Sequence, residues 1–273
     1  LEIVDIVKCK NPRCITSVEQ EIDHVFKLTD RENKTDGYNE GGNYHDLYST
    51  LGRWTGAVIQ PAGEEIWNYP QFNESQRYDM DYAFVNSDLI DAEDHSSIKQ
   101  HIMTTGPLCF SYLTEGKNGE DYFNEKYNAH YAYNANGTNH LVTIVGWDDN
   151  FSKTKFLNQP AGNGAWICRN SWGTDFGENG YFYLSYYDTS FRNVFSMDMV
   201  SGDKYDNNYQ CKANDDRVFS SSSNGFSIAN IYKAKGYETM KAVGIRTYNA
   251  NEAYTIRVYL DSEKGTPMSG RLV

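Results

Sequence analysis

Apolar residues recur near the amino end at Leu1, Val4 and Val7, with Ile3 and Ile6 beside them, a spacing that predicts a helix over residues 1–10. Asn11-Pro12 stops it, because the residue before proline avoids helical angles. A second helix is expected over 17–28, where Ser17 can cap and Gln20 follows three residues on, as in a capping box. A polar loop over 30–40 ends in Gly41-Gly42, and a short helix is expected over 46–54. Residues 59–79 read as loop. Residues 96–105 read as helix, closed by Gly106-Pro107, and 108–113 as a short strand. Alternation puts Leu108 and Phe110 on one side of that strand, Cys109 and Ser111 on the other. Further strands are expected at 140–147, 165–169 and 180–187, the first two separated by a polar, turn-rich insertion over 149–164.

The pattern changes near residue 201. Val243, Ile245 and Thr247 alternate with Gly244, Arg246 and Tyr248; Tyr254, Ile256, Val258 and Leu260 alternate with Thr255, Arg257 and Tyr259. Such period-two runs predict antiparallel sheet with one buried face, part of a β-sandwich. No internal repeat is found. The 273 residues suit one large domain or two modest ones. The 22 tyrosines suit sheets with one wet face. A net charge of −12 argues against a nucleic-acid partner, which requires clustered Lys and Arg. No apolar run of about 18 residues predicts a membrane span.

Five cysteines are present: Cys9, Cys14, Cys109, Cys168 and Cys211. None forms a CxxC pair or a Cys/His cluster of zinc-site spacing, so no metal and no cofactor is expected. Cys109 and Cys168 sit in apolar runs and read as small buried hydrophobes; Cys9 and Cys14 are close enough to pair locally. Asp203, Asp206, Asp215 and Asp216 read as a solvated acidic loop rather than a calcium site.

Two segments concentrate chemistry. Residues 139–147 read Asn-His-Leu-Val-Thr-Ile-Val-Gly-Trp. Residues 166–173 read Trp-Ile-Cys-Arg-Asn-Ser-Trp-Gly, followed by Gly-Glu-Asn-Gly-Tyr at 177–181. A histidine at the mouth of an apolar strand, then Asn-Ser-Trp-Gly ending a second, resembles the papain family of cysteine peptidases. The resemblance implies an α+β, two-lobed fold with an incomplete helical lobe and an antiparallel sheet lobe, followed by a partial all-β sandwich. It implies His140 as acid/base, Asn170 as the residue orienting it, and Trp172 as the ring shielding the pair. His24, His45, His95, His101 and His130 have no such accompanying motif. Phe176 stands where papain has a second tryptophan.

Weaker matches follow the family's order. Glu40-Gly41-Gly42-Asn43 resembles the Gly-Gly wall of the substrate cleft, where a substrate backbone can pair as an added strand. Gly106-Pro107-Leu108 resembles the strand leading to a subsite wall, which implicates Ser111 and Leu141 in substrate binding, with Asn139 beside the histidine.

The family's nucleophile begins a long buried helix, after a Gln, in a Gly-Ser-Cys-Trp-Ala-Phe type run that this chain lacks. The helix expected from Leu1 looks like that helix's later turns, and Ser17-Val18-Glu19-Gln20 resembles the segment after it. The nucleophile is therefore expected within roughly three helical turns before Leu1. Cys9 would lie near a helix C-terminus, whose dipole disfavours a thiolate. The non-Met start reads as a piece of a longer protein. The expected division is a peptidase domain over 1–200 and a lectin-like sandwich over 201–273, as in some secreted bacterial and archaeal enzymes. The expected partners are a protein or peptide substrate and, through the second domain, a cell-surface polymer, which implies a secreted or cell-surface location. The competing readings are a binding or adhesion protein with a decayed peptidase fold, and a transglutaminase-like Cys-His-Asp enzyme. The Asn-Ser-Trp-Gly run opposes the latter.

Overall fold

The computed structural model describes residues 2–4, 25–27, 44–54, 57–59, 79–116, 121–210, 227–245, 247 and 253–273. Two compact units emerge, one of Val85–Met199 and one of Leu1–Phe84 with Val200–Val273.

The Val85–Met199 unit is built on an eight-stranded sheet. Its elements in chain order are β1 (Leu89–Ile90), α1 (His95–Thr104), β2 (Leu108–Tyr112), β3 (Phe123–Asn124), β4 (Ala129–His130), β5 (His140–Asp148), β6 (Ala165–Arg169), β7 (Tyr181–Ser185) and β8 (Arg192–Phe195). The spatial order is β1-β8-β2-β5-β6-β7-β4-β3. All pairings are antiparallel except β7 with β4. Helix α1 starts at Asp94, whose carboxylate accepts the Ser97 amide (3.0 Å) and the Ser96 and Ser97 hydroxyls. Those bonds hold Asp94 down to about 2, the Ser96 bond contributing most.

Period-two alternation sets the core. Leu108, Phe110 and Tyr112 are buried on β2 and face Ile144, Val142 and His140 of β5 in register. Trp166, Cys168, Phe182, Leu184 and Val194 complete that layer, and Ile98 of α1 packs on it. The insertion over 149–164 is not merely a polar excursion. It buries Phe151 and Phe156 (each 3% exposed) with Ala129 and Ala165, and Phe151 stacks on Tyr183 at 4.3 Å. Two aromatic anchors offset much of the cost of closing a long loop.

In the other unit a helix spans Tyr44–Leu51, overlapping the short helix expected at 46–54. The helices expected over 1–10 and 17–28 are overturned where the structure describes them. Glu2–Val4 is a strand paired antiparallel with Val25–Lys27. Ile3 and Val4 are β-branched, stiff at χ1 and better suited to a pleated ladder than a helix. Of the strands expected beyond residue 240, the described residues keep Tyr259–Leu260, paired with Arg271–Leu272. Val243, Ile245, Tyr254 and Ile256 are exposed. An alternating run becomes a strand only where a partner supplies its ladder, and these residues have none among those described. Cys9, Cys14, Gly41, Gly42, Asn43, Cys211, Asp215 and Asp216 lie outside the described residues.

Candidate active site

His140 opens β5 and Asn170 follows β6, so the pairing of these two strands brings together residues 30 positions apart. Nε2 of His140 lies 2.9 Å from Oδ1 of Asn170. The same oxygen accepts the Ser171 amide at 2.8 Å. A backbone N–H can only donate, so that atom is the amide oxygen, and Nε2 of His140 must carry the proton it shares with it. Nδ1 is thereby left for proton exchange with a reacting group. Asn170 is 4% exposed and its backbone N–H donates to the Gly180 carbonyl (2.9 Å). Trp172 stacks on the His140 ring at 4.9 Å and remains half exposed, covering one face of the imidazole.

The loop carrying Asn170 and Trp172 depends on two glycines. Gly177 (φ +58°) would drive a Cβ into the Tyr181 carbonyl. Gly180 (φ +87°) would place one 2.7 Å from Arg169 Nη1 and 2.9 Å from the Gly173 carbonyl oxygen. Both positions need left-handed backbone as well as space. Phe176 meets Trp172 edge-on at 5.0 Å and stacks on Phe123 at 5.2 Å, tying the shielding ring to the sheet.

The other expected site residues divide. Asn139 adjoins His140, but its side chain is engaged with Thr114, accepting that residue's amide at 2.9 Å. Ser111 and Leu141 are cross-strand partners and share a half-exposed face. That face is opposite the one carrying Tyr112 and His140, so these two residues are not brought to the imidazole. Neither described cysteine is a reactive thiol. Cys168 is fully buried and burial pushes its thiol well above the usual range; burial also pushes Cys109 up, against a hydrogen bond with Thr143. Among the described residues no three His, Cys, Asp or Glu side chains converge as a metal site.

Several residues near the imidazole had no signal in the sequence. The Tyr112 ring lies 5.8 Å from that of His140, and His130 meets Tyr112 edge-on at 5.1 Å. His130 Nε2 is 3.6 Å from Asp188 Oδ2, both side chains being buried. Asp188 ties two turns together: it accepts the Ala132 amide (2.7 Å) and the Ser190 amide (2.8 Å).

This pair makes a pH prediction. Burial, against hydrogen bonds from Ser190 and Ala132, raises Asp188 to about 6. Burial, against the Leu113 backbone and Asp121, lowers His130 to about 4. A raised carboxylate contributes stability at low pH that is lost as pH rises towards about 6; a depressed imidazole contributes stability at neutral pH that is lost as pH falls towards about 4. The two effects oppose each other across that window. Asp188→Asn removes the first and leaves the second. The stability difference between variant and wild type, from urea unfolding, should therefore shift against the variant as pH falls from about 6.5 to about 4. A difference that does not change with pH contradicts the buried pair.

Residues 60–201, just over half of the chain, match the family model described as Papain family cysteine protease. Residues 215–273 match that of the Lectin like domain. Residues 1–36 match the metal binding domain of the aspartate carbamoyltransferase regulatory chain. The chain is 27% identical over 214 residues to Probable cysteine proteinase 224L of Invertebrate iridescent virus 6, covering 70% of this chain and 46% of that protein. It is 58% identical over 31 residues to the aspartate carbamoyltransferase regulatory chain of Clostridium tetani, 11% of this chain and 22% of that one. Among solved structures it is similar to the cysteine protease and lectin-like domains of Cwp84, a surface layer associated protein of Clostridium difficile, at 30% identity and TM-score 0.41 over 46% of this chain and 28% of that one. The chain thus spans less than half the length of the curated relatives it matches.

The match over 1–36 corrects the expectation that this stretch continues the nucleophile's helix. It also places Cys9 and Cys14 inside the stretch matched by a metal-binding domain's model. The peptidase assignment rests instead on residues 60–201, which hold the His140 strand, the Asn-Ser-Trp-Gly turn and the sheet between them, and on that ground the chain belongs to the papain family of cysteine proteases.

Proposed function

We propose that the chain is the histidine- and asparagine-bearing part of an endopeptidase that hydrolyses peptide bonds by a Cys-His-Asn mechanism, the nucleophilic cysteine coming from outside these 273 residues. The observation that carries this reading is the 2.9 Å contact between His140 Nε2 and Asn170 Oδ1. A thiol becomes an effective nucleophile only as thiolate. Nδ1 of His140 takes the thiol proton, and the resulting imidazolium stabilises the thiolate. The sulfur attacks the scissile carbonyl, and Nδ1–H then delivers the proton to the departing amine, leaving a thioester. In the second half Nδ1 removes a proton from water, which attacks the thioester and releases the acid and the thiol. Asn170 takes part in no bond exchange; it holds the tautomer. Trp172 covers that hydrogen bond and limits competition from water.

The chain's own thiols support an external nucleophile. Cys109 and Cys168 are held protonated within the sheet, and Cys9 and Cys14 lie in the stretch that matches another protein. Gly41, Gly42 and Asn43 are proposed to take part in substrate binding, since glycine admits a substrate backbone as an added strand. Asn139 adjoins the leaving group. Ser111 and Leu141 would contribute only from the far face of β2 and β5. The matches support a division near residue 200 between peptidase and lectin-like regions, the second region binding a surface polymer and holding the enzyme outside the cell or on its surface.

The test is cleavage of a fluorogenic peptide. A protein in which residues 1–36 are replaced by the cysteine-bearing segment of a papain-family peptidase should cleave, and a thiol-alkylating reagent should stop it. The 273-residue chain alone should not cleave. Alkylation-sensitive cleavage by that chain would assign the nucleophile to one of its own thiols.

A further inference from the structure

A pocket of about 400 Å³ lies against the rings that flank His140. Tyr112 and Trp172 form two of its walls. Phe123 and Phe176, stacked on each other, extend the aromatic surface away from Trp172. The rim is acidic. Glu115 and Asp121 are partners in an antiparallel bridge, an arrangement that sends both side chains to one side of the ribbon. Like charges so placed repel. Among the described residues neither carboxylate forms an ion pair with Lys or Arg; the ion pairs described are Lys99 with Asp149 and His130 with Asp188. His130 also lines the pocket, at 2% exposure, and its Nε2 has no hydrogen-bond partner. Its burial keeps the imidazole neutral at neutral pH, so it does not compensate the rim.

We propose that this pocket is a specificity site for a basic side chain, arginine or lysine, carried by the substrate residue on the leaving-group side of the scissile bond. The assignment of the side rests on the peptidase reading above. The departing amine receives its proton from His140 Nδ1 and so lies within hydrogen-bond reach of it. The residue bearing that amine is then beside Tyr112 and Trp172, at the mouth of the pocket. A guanidinium satisfies both wall and rim: its planar face stacks on aromatic rings, and its donors match carboxylates. The aliphatic stem covers Phe123 and Phe176. A neutral side chain leaves Glu115 and Asp121 facing each other, and an acidic one adds to the repulsion.

The 273-residue chain needs no nucleophile for the test. Its binding of the dipeptide amide Arg-Ala-NH2 is compared with that of the neutral isostere citrulline-Ala-NH2, at low salt, by the shift of the His140 imidazole signals. The arginine peptide should bind roughly fivefold more tightly, the sum of two partly exposed charge contacts. Glu115→Gln with Asp121→Asn should erase the preference, the two peptides then binding with equal affinity. Equal affinities in the wild-type chain, no saturable binding of the arginine peptide, or a preference that survives the double substitution would each overturn the proposal. A cleavage arm separates the two readings. If the nucleophile-supplied protein cleaves through His140 without favouring arginine, the pocket assignment falls alone. If cleavage persists in His140→Ala, the peptidase reading falls, and the binding comparison still reports on the pocket.

Discussion

His140→Ala, in a protein supplied with the nucleophile, should lower kcat/KM for a peptide substrate by at least about 10³-fold. Two proton transfers use the same ring. Without it the thiol is not activated and the departing amine leaves unprotonated, so acylation loses both of its assisted steps. Asn170→Ala should cost less than His140→Ala, because it removes orientation and not a reacting group. The structure makes that loss specific: without the Oδ1 acceptor at 2.9 Å, the imidazole can adopt either tautomer and rotate. Comparable losses in the two variants would mean that Asn170 does more than orient. A His140→Ala variant with near wild-type kcat/KM would remove His140 from the reaction. The double variant should resemble His140→Ala alone, since Asn170 acts through the histidine.

The largest expected effect on stability lies at Trp166. Its side chain is fully buried, edge-on to His95 at 5.0 Å, against Tyr186 at 4.7 Å and stacked on Phe191 at 5.8 Å. Truncation to alanine removes that packing and leaves a cavity, at about 3–5 kcal/mol. A domain's whole stability is about 5–15 kcal/mol. Trp166→Ala should therefore unfold the Val85–Met199 unit at far lower urea concentration, or prevent its folding. Trp172, half exposed, gives the contrast: its truncation should change stability by no more than about 1 kcal/mol while reducing turnover. Urea midpoints for the two variants, each against wild type, check both statements. Equal midpoints would contradict the burial that separates a core tryptophan from a site tryptophan.

The parts legible in the sequence were those whose signal is local. Leu108, Phe110 and the strand that follows Gly106-Pro107 declared a buried face by alternation, and the Asn-Ser-Trp-Gly turn identified His140, Asn170 and Trp172 together. The amino-terminal segment was misread because its apolar residues satisfy a helical spacing, whereas the pairing of Glu2–Val4 with Val25–Lys27 makes those residues a strand. The Cys9 and Cys14 spacing was set aside for want of a CxxC pair, although it falls inside a match to a metal-binding domain. The pocket beside His140 was not legible because its walls come from β2, β3, β4, the bridge at Glu115 and the turn at Trp172, which only the folded sheet assembles. The buried His130 and Asp188 pair was hidden for the same reason, its members standing 58 positions apart.

The most direct measurement is the tautomer of His140, read from imidazole ¹⁵N shifts of the folded 273-residue chain at a pH where the ring is neutral. Proton on Nε2 and a free Nδ1 lone pair, with this preference lost in Asn170→Ala, is the predicted result, because Oδ1 of Asn170 accepts from both Nε2 and the Ser171 amide. A neutral ring protonated at Nδ1 would leave no proton acceptor facing the nucleophile, and a tautomer indifferent to Asn170 would remove that residue's orienting role; either result would contradict the account.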